Sequence, residues 1–143
     1  MHNRSLQLLD SNILVFAFAS GHRHQAVAQA LLEVATVQES QYVVAEQNLL
    51  EWYSVATSTQ QAVVALKPAD AVEVVRRFID SHLLVLHPND DTRDVFLELL
   101  GCKPLVTGKD VYDRYLAATA LSNGVGAIVT ENESDFEGLP GLT

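Results

Sequence analysis

The chain reads as a three-layer α/β domain built on a central, mostly parallel sheet. Three observations carry that reading. Short leucine-rich or β-branched runs alternate with helical periodicities along all 143 residues, the pattern of strand–crossover–strand units with helices on the sheet faces. Those runs are apolar throughout, as strands covered on both faces are. Two of them end in acidic tips, Asp10 and the stretch 131–135, and parallel sheets bind ligands beyond the carboxyl ends of their strands.

Residues 6–9 form the first strand, with Asp10 at its tip and Ser11 or Asn12 as the cap of a short helix over 13–19. Ser20, Gly21 and His22 punctuate it. Within 24–35, Ala26, Val27, Ala30, Leu31 and Val34 recur at helical spacing and predict a second helix. The polar stretch 38–40 leads into a short β-branched strand, Tyr42–Ala45. A helix follows over 46–57, with Leu49, Leu50, Tyr53 and Ala56 on one broad face and Gln47, Asn48 and Glu51 as polar positions. Residues 58–67 fit either a loop or more helix. Pro68 suits the first turn of a helix running to Asp80, with apolar Ala71, Val72, Val74, Val75, Phe78 and Ile79. The third strand is 83–86, closed by His87 and Pro88.

Asn89, Asp90 and Asp91 cap a helix over Thr92–Leu100, which Gly101 ends. A loop over 102–109 precedes Asp110, which opens the helix Val111–Ser122; Asn123 and Gly124 close that helix, and 126–130 is the fourth strand. With no internal repeat, low-complexity segment or linker, the expectation is one domain over 1–143.

Composition narrows the classes. A hydrophobic fraction of 48% with 7 Gly and 4 Pro is that of a globular chain. No apolar stretch approaches the roughly 20 residues of a membrane span. Met1 to Arg4 followed by a short apolar run makes a poor signal peptide, so cytoplasm is the expected compartment. The single Cys, Cys102, excludes an internal disulfide and offers no metal cluster. Nine basic against 18 acidic residues give a formal charge of −9, which argues against broad electrostatic attraction to nucleic acid. That balance is compatible with a carboxylate site screened by bound cations, or with a basic partner chain.

Four acids fall where the sheet would gather them: Asp10 after the first strand, Glu51 in the helix after the second, Asp113 early in the helix before the fourth, and Asp135 after the fourth. Each also has a purely structural reading. Asp10 could cap a helix, Glu51 could face solvent, Asp113 could complement a helix dipole, and Asp135 could sit in a turn. As a cluster without Cys or paired His, they select hard cations such as Mg²⁺ or Mn²⁺. The five His residues show neither nucleophile nor metal-ligand spacing, and His22 and His24 read as surface residues.

Together the segments resemble the PIN-domain ribonucleases, in particular the toxin subunits of VapBC-type toxin–antitoxin pairs. Leu8-Leu9-Asp10-Ser11-Asn12 resembles the family opening, an Asp followed by Thr or Ser and then Asn. The stretch 47–57 resembles the segment carrying the second acid, which places it at Glu51, and 111–118 resembles the helix of the third, Asp113. The stretch 128–136 resembles the closing motif, with Thr130, Asn132 and Asp135 as its polar members.

The resemblance implies a PIN-like domain with a sheet of four or five strands. It also implies a Mg²⁺- or Mn²⁺-dependent endoribonuclease, an RNA substrate, inhibition by a cognate antitoxin and a homodimer. Asp10, Glu51 and Asp113 would hold the metal, Asp135 would complete a second site or position water, and Asn12 and Thr130 would support them by hydrogen bonds. The chain departs from the family pattern at Asn132, where many members carry an acid, and in the short stretch after Phe136, where a further edge strand is expected to be short or absent. Two alternatives follow: a catalytically weak PIN-like binding domain, and another hard-metal phosphoesterase such as a DNA nuclease.

Overall fold

Four short strands carry the fold: β1 (Gln7–Leu9), β2 (Tyr42–Ala45), β3 (Leu84–Leu86) and β4 (Ile128–Val129). They pair in the order β3-β2-β1-β4, every pair parallel. The computed structural model describes residues 5–143. Helices α1 (Ser11–Phe18), α2 (Gln25–Val37), α3 (Glu46–Ala56), α4 (Pro68–Asp80), α5 (Thr92–Leu100) and α6 (Val111–Ser122) complete the framework, with short 3-10 turns at Gly108–Asp110 and Glu133–Asp135.

The three layers follow from the two-residue period of the strands. Leu9 and Val44 point to a core shared with α1, α2, α3 and α4, in which Leu14, Leu32, Leu49, Trp52 and Phe78 are buried. Leu8, Val43 and Ala45 point the other way, into a core with Leu99, Leu116, Ala117 and Phe136. There α6 packs on α5. Both faces of the sheet are therefore covered, which is why its strands are apolar at successive positions. Cys102 is a free, half-buried thiol packed against the second core.

The element sequence holds, with α4, α5 and α6 at the expected bounds, and where the structure departs from the expectations or decides between them the causes are physical. Asp10 itself caps α1: its carboxylate accepts from the Ser11 amide at 2.7 Å, so neither Ser11 nor Asn12 is the cap. In α2 the two valines of the periodicity face outward, Val27 63% and Val34 43% exposed, Leu31 packs partly against the core, and Ala28, Leu32 and Ala35 are buried. In α3 Leu50 is exposed, and the face that packs inward is Leu49, Trp52 and Ala56. Residues 58–67 do not continue α3; Ala62 and Ala65 take positive φ values of 49° and 57°, which no right-handed helix accommodates.

Strand β4 spans only Ile128–Val129 of the expected 126–130, and just beyond it the Thr130 hydroxyl bonds Asp10. Among the described residues there are four strands and no fifth. The stretch after Phe136 instead returns along β4, where the Thr143 amide donates to Gly126 O at 2.9 Å. No described helix is long and apolar enough to cross a membrane.

Candidate active site

Strand β1 is flanked on both sides, by β2 and β4, so the residue at its tip is surrounded by the turns of both neighbours. That residue is Asp10, whose amide still donates to Val129 O at 2.9 Å as the last rung of the ladder. Its carboxylate is 6% exposed. One oxygen, Oδ1, accepts from the Ser11 amide; the other, Oδ2, accepts from the Thr130 hydroxyl at 2.8 Å. Burial raises the Asp10 carboxyl above its ordinary 3.8, and the Glu51 charge adds to this, while the bonds from Thr130 and Ser11 pull it back.

Ser11 ties Asp10 to Glu51. Its hydroxyl donates to Glu51 Oε2, and the same oxygen lies 3.3 Å from Asp10 Oδ1. Glu51 reaches this point because α3 starts in a fixed register. The buried Asn48 side chain accepts from the Ala45 amide at 2.8 Å, closing the helix start one turn before Glu51. The other Glu51 oxygen accepts from Gln47 Nε2 at 2.7 Å, and that amide also donates to the carbonyl of Tyr112 at 2.9 Å. Gln47 thereby links α3 to the first turn of α6, next to Asp113.

Asp113 is half-buried, and its carboxyl is pushed up from 3.8 to about 7. Burial is the largest cause, followed by the charges of Asp135, Asp10 and Glu51. The four acids singled out in the sequence therefore share one electrostatic neighbourhood. Asp135 itself is exposed, on the 3-10 turn Glu133–Asp135, and acts on Asp113 through its charge.

The neutral residues are arranged as a relay. Thr130 Oγ1 accepts from Asn12 Nδ2 at 3.2 Å and from the Asn132 amide at 3.0 Å while it donates to Asp10. Asn12 and Thr130 thus support Asp10 through side chains. Asn132 enters this network through its main chain, and its side chain is exposed. On the outer flank, Glu131 accepts from Arg23 at 3.1 Å and meets His24 Nε2 at 3.2 Å, while the His22 ring stacks on Phe16 at 4.1 Å. His22 and His24 are half-buried against Phe16 of α1, and His24 also meets Glu131 in the turn after β4, more than the surface role their spacing suggests.

Ser11 and Gln47 have no part in the sequence-derived site. For Gln47 a signal existed: it stands four residues before Glu51 and so shares its helix face. For the Ser11 bond to Glu51, 40 residues away, only the sheet topology brings the partners together.

As a place for a cation, the donor set is suitable in kind: carboxylate oxygens, with Asn12 Oδ1 and Gln47 Oε1 as buried oxygens that lack a partner in the protein. The negative charge gathered around Asp113 is what a cation would offset. In the described residues the carboxylates do not close into a group of three or more His, Cys, Asp or Glu at ligating distance.

These features define a class: a parallel three-layer domain with a carboxylate cluster at the carboxyl edge of its central strands. The chain belongs to the PIN domain family, whose model matches residues 8–142. Its fold is similar to that of DNA-bound VapBC from Salmonella typhimurium, at 24% identity over 97% of this chain and 96% of that one, with a TM-score of 0.68. It is also similar to a toxin-antitoxin complex from Klebsiella pneumoniae, at 22% identity over 96% and 95% of the two chains, TM-score 0.62. VapC20 of Mycobacterium tuberculosis, a Sarcin-Ricin loop cleaving toxin, shares the fold at 12% identity over 94% and 97%, TM-score 0.66. No curated protein sequence matches the chain.

Proposed function

We propose that this single-domain chain is a metal-dependent endoribonuclease and the toxin of a toxin–antitoxin pair, acting in the cytoplasm as a homodimer. The observation that carries the reading is the carboxylate arrangement. Asp10 and Glu51 are joined through Ser11 at the sheet's carboxyl edge, and the Asp113 carboxyl beside them is raised to about 7 by burial and their charge. Membership of the PIN family and a fold shared with VapBC toxins support it.

Asp10, Glu51 and Asp113 would hold Mg²⁺ or Mn²⁺, with Asp135 contributing charge and positioning at the rim. Bound there, the cation would supply an activated water and would steady the charge developing on the phosphodiester. The protein's own part is to keep the acceptors in place. Thr130 and the Ser11 amide fix both Asp10 oxygens, Gln47 and Ser11 fix both Glu51 oxygens, and Asp113 is a carboxylate whose affinity for a proton is raised to about 7. The partners expected of this reading are an RNA substrate and a cognate antitoxin. A basic antitoxin segment would suit the chain's charge of −9.

The direct test is cleavage of RNA in Mn²⁺ or Mg²⁺ by the wild type and Asp10→Asn. Activity confined to the wild type is expected, and equal activity of the two would sink the assignment. A parallel assay on DNA separates this reading from a DNA nuclease.

A further inference from the structure

We propose that the groove between α1 and α3, opening beside the Ser11–Glu51 contact, is a nucleobase subsite that seats a base of the RNA next to the acidic site. The inference rests on the ribonuclease reading above. The cavity measures about 360 Å³, within the range of small-ligand sites, and its walls are Val15, Phe16 and Val55, with Asn12 and Ser54 as polar members. Its position matters as much as its size: Ser11 and Glu51 belong to its lining, so a ligand seated there adjoins the carboxylates.

Electrostatics is the reason to expect base recognition there. Most single-strand binders draw affinity from Lys and Arg contacts to phosphate, and this chain has nine such residues against 18 acids. The two arginines near the site are already engaged. Arg23 is paired with Glu131, and Arg114, next to Asp113, is 5% exposed and donates to the carbonyls of Leu99 and Pro104. The larger cavity of about 500 Å³ beyond β4 is lined by Glu133 and Glu137, whose charges oppose a phosphate backbone. What the groove between α1 and α3 offers instead is a largely apolar lining, against which any base gains by packing whatever its sequence.

The groove is also preformed. The Phe16 ring is held by its near-parallel stack on His22, with 13° between the planes. The Asn12 side chain is oriented by its bond to Thr130. Ser54 is exposed on α3, where a larger side chain would fill the groove without entering the core.

The experiment measures binding of a fluorescein-labelled single-stranded RNA hexamer by anisotropy, in chelator so that no cleavage occurs. It compares wild type, Ser54→Ala and Ser54→Phe, with an abasic sugar-phosphate hexamer as second probe. Ser54→Phe should weaken binding of the RNA hexamer about tenfold, the scale of one lost base contact, with Ser54→Ala, which removes one hydroxyl and leaves the groove open, weakening it far less, and with the abasic hexamer indifferent to either substitution.

Equal RNA binding by wild type and Ser54→Phe, or equal binding of RNA and abasic hexamers by the wild type, overturns the subsite. In case Ser54→Phe folds poorly, adenosine 5′-monophosphate titrated into the wild type should shift the amide resonances of Val15, Ser54 and Val55; shifts elsewhere only overturn the proposal. A wild type that cleaves RNA with a KM indifferent to Ser54→Phe sinks the subsite and leaves the ribonuclease reading standing. A wild type inert on RNA sinks that reading, while the anisotropy difference still judges the groove.

Discussion

Asp113→Asn should remove a pH dependence of folding stability that the metal-free wild type shows. The Asp113 carboxyl stands at about 7 in the folded chain against 3.8 as its ordinary value, a shift of about three units caused first by burial and then by Asp135, Asp10 and Glu51. A carboxyl raised on folding binds more protons folded than unfolded, so its stabilisation is full below about 3.8 and is lost as pH rises through about 7. Three units correspond to about 4 kcal/mol at most. Solvent screening of a half-exposed side chain reduces this to about 2 kcal/mol. About a third of this is already lost by pH 5, so between pH 5 and pH 8 about 1 kcal/mol remains to be lost, a fall in Tm of about 2–5 °C for a chain of this size.

Thermal unfolding followed by circular dichroism, in chelator at both pH values, measures it. Contributions from other groups are common to both proteins, so the difference between wild type and Asp113→Asn isolates the carboxyl. Parallel pH profiles for the two would refute the reasoning. Adding Mn²⁺ should raise the wild-type Tm more at pH 8 than at pH 5, because the ion competes with the proton for these oxygens.

Three further outcomes follow from the contacts. Thr130→Val removes the donor to Asp10 and the acceptor for Asn12 and the Asn132 amide; calorimetric titration should show Mn²⁺ affinity reduced about 10–100-fold, the usual effect of losing a group that orients a ligand. Gln47→Ala frees one Glu51 oxygen and cuts the link from α3 to α6, so turnover of RNA should fall while KM changes little; a rise in KM alone would show that Gln47 binds substrate instead. In α2, Leu32→Ala should cost about 2–5 kcal/mol in urea unfolding and Val27→Ala under about 0.5 kcal/mol, since only the first is buried.

The three later helices were readable because their ends carry local chemistry: Pro68 opens α4, Asp110 precedes α6, and Gly101 closes α5. The inward face of α2 was not. Ala26, Val27, Ala28, Ala30, Leu31, Leu32, Val34 and Ala35 put apolar groups nearly all round that helix, so its period identifies a helix without choosing a side. Only the shape of the sheet beneath, which admits Ala28, Leu32 and Ala35, makes the choice. Leu50 misled for a related reason, since it sits beside Leu49 and Glu51 on α3 and the fully buried Trp52 took the inward position.

At the site, the acids were legible and their supports were not, and the division has a physical basis. A carboxylate at a strand tip is visible as a break between an apolar run and a helix. A hydroxyl or amide that holds it is an ordinary polar residue until the topology brings the two together. Asp10 also shows that capping and function are compatible for one carboxylate, because Oδ1 caps α1 while Oδ2 meets Thr130. The donors around Asp10 and Glu51 are all neutral: the Ser11 amide and hydroxyl, the Thr130 hydroxyl and the Gln47 amide. Arg114, one residue from Asp113, turns its charge to two backbone carbonyls instead. Neutral donors orient a carboxylate without cancelling its charge, whereas an arginine in the same place would form an ion pair and quench it. The chain thus fixes the geometry of its acids and leaves their charge uncompensated, which is the condition a cation-dependent nuclease requires.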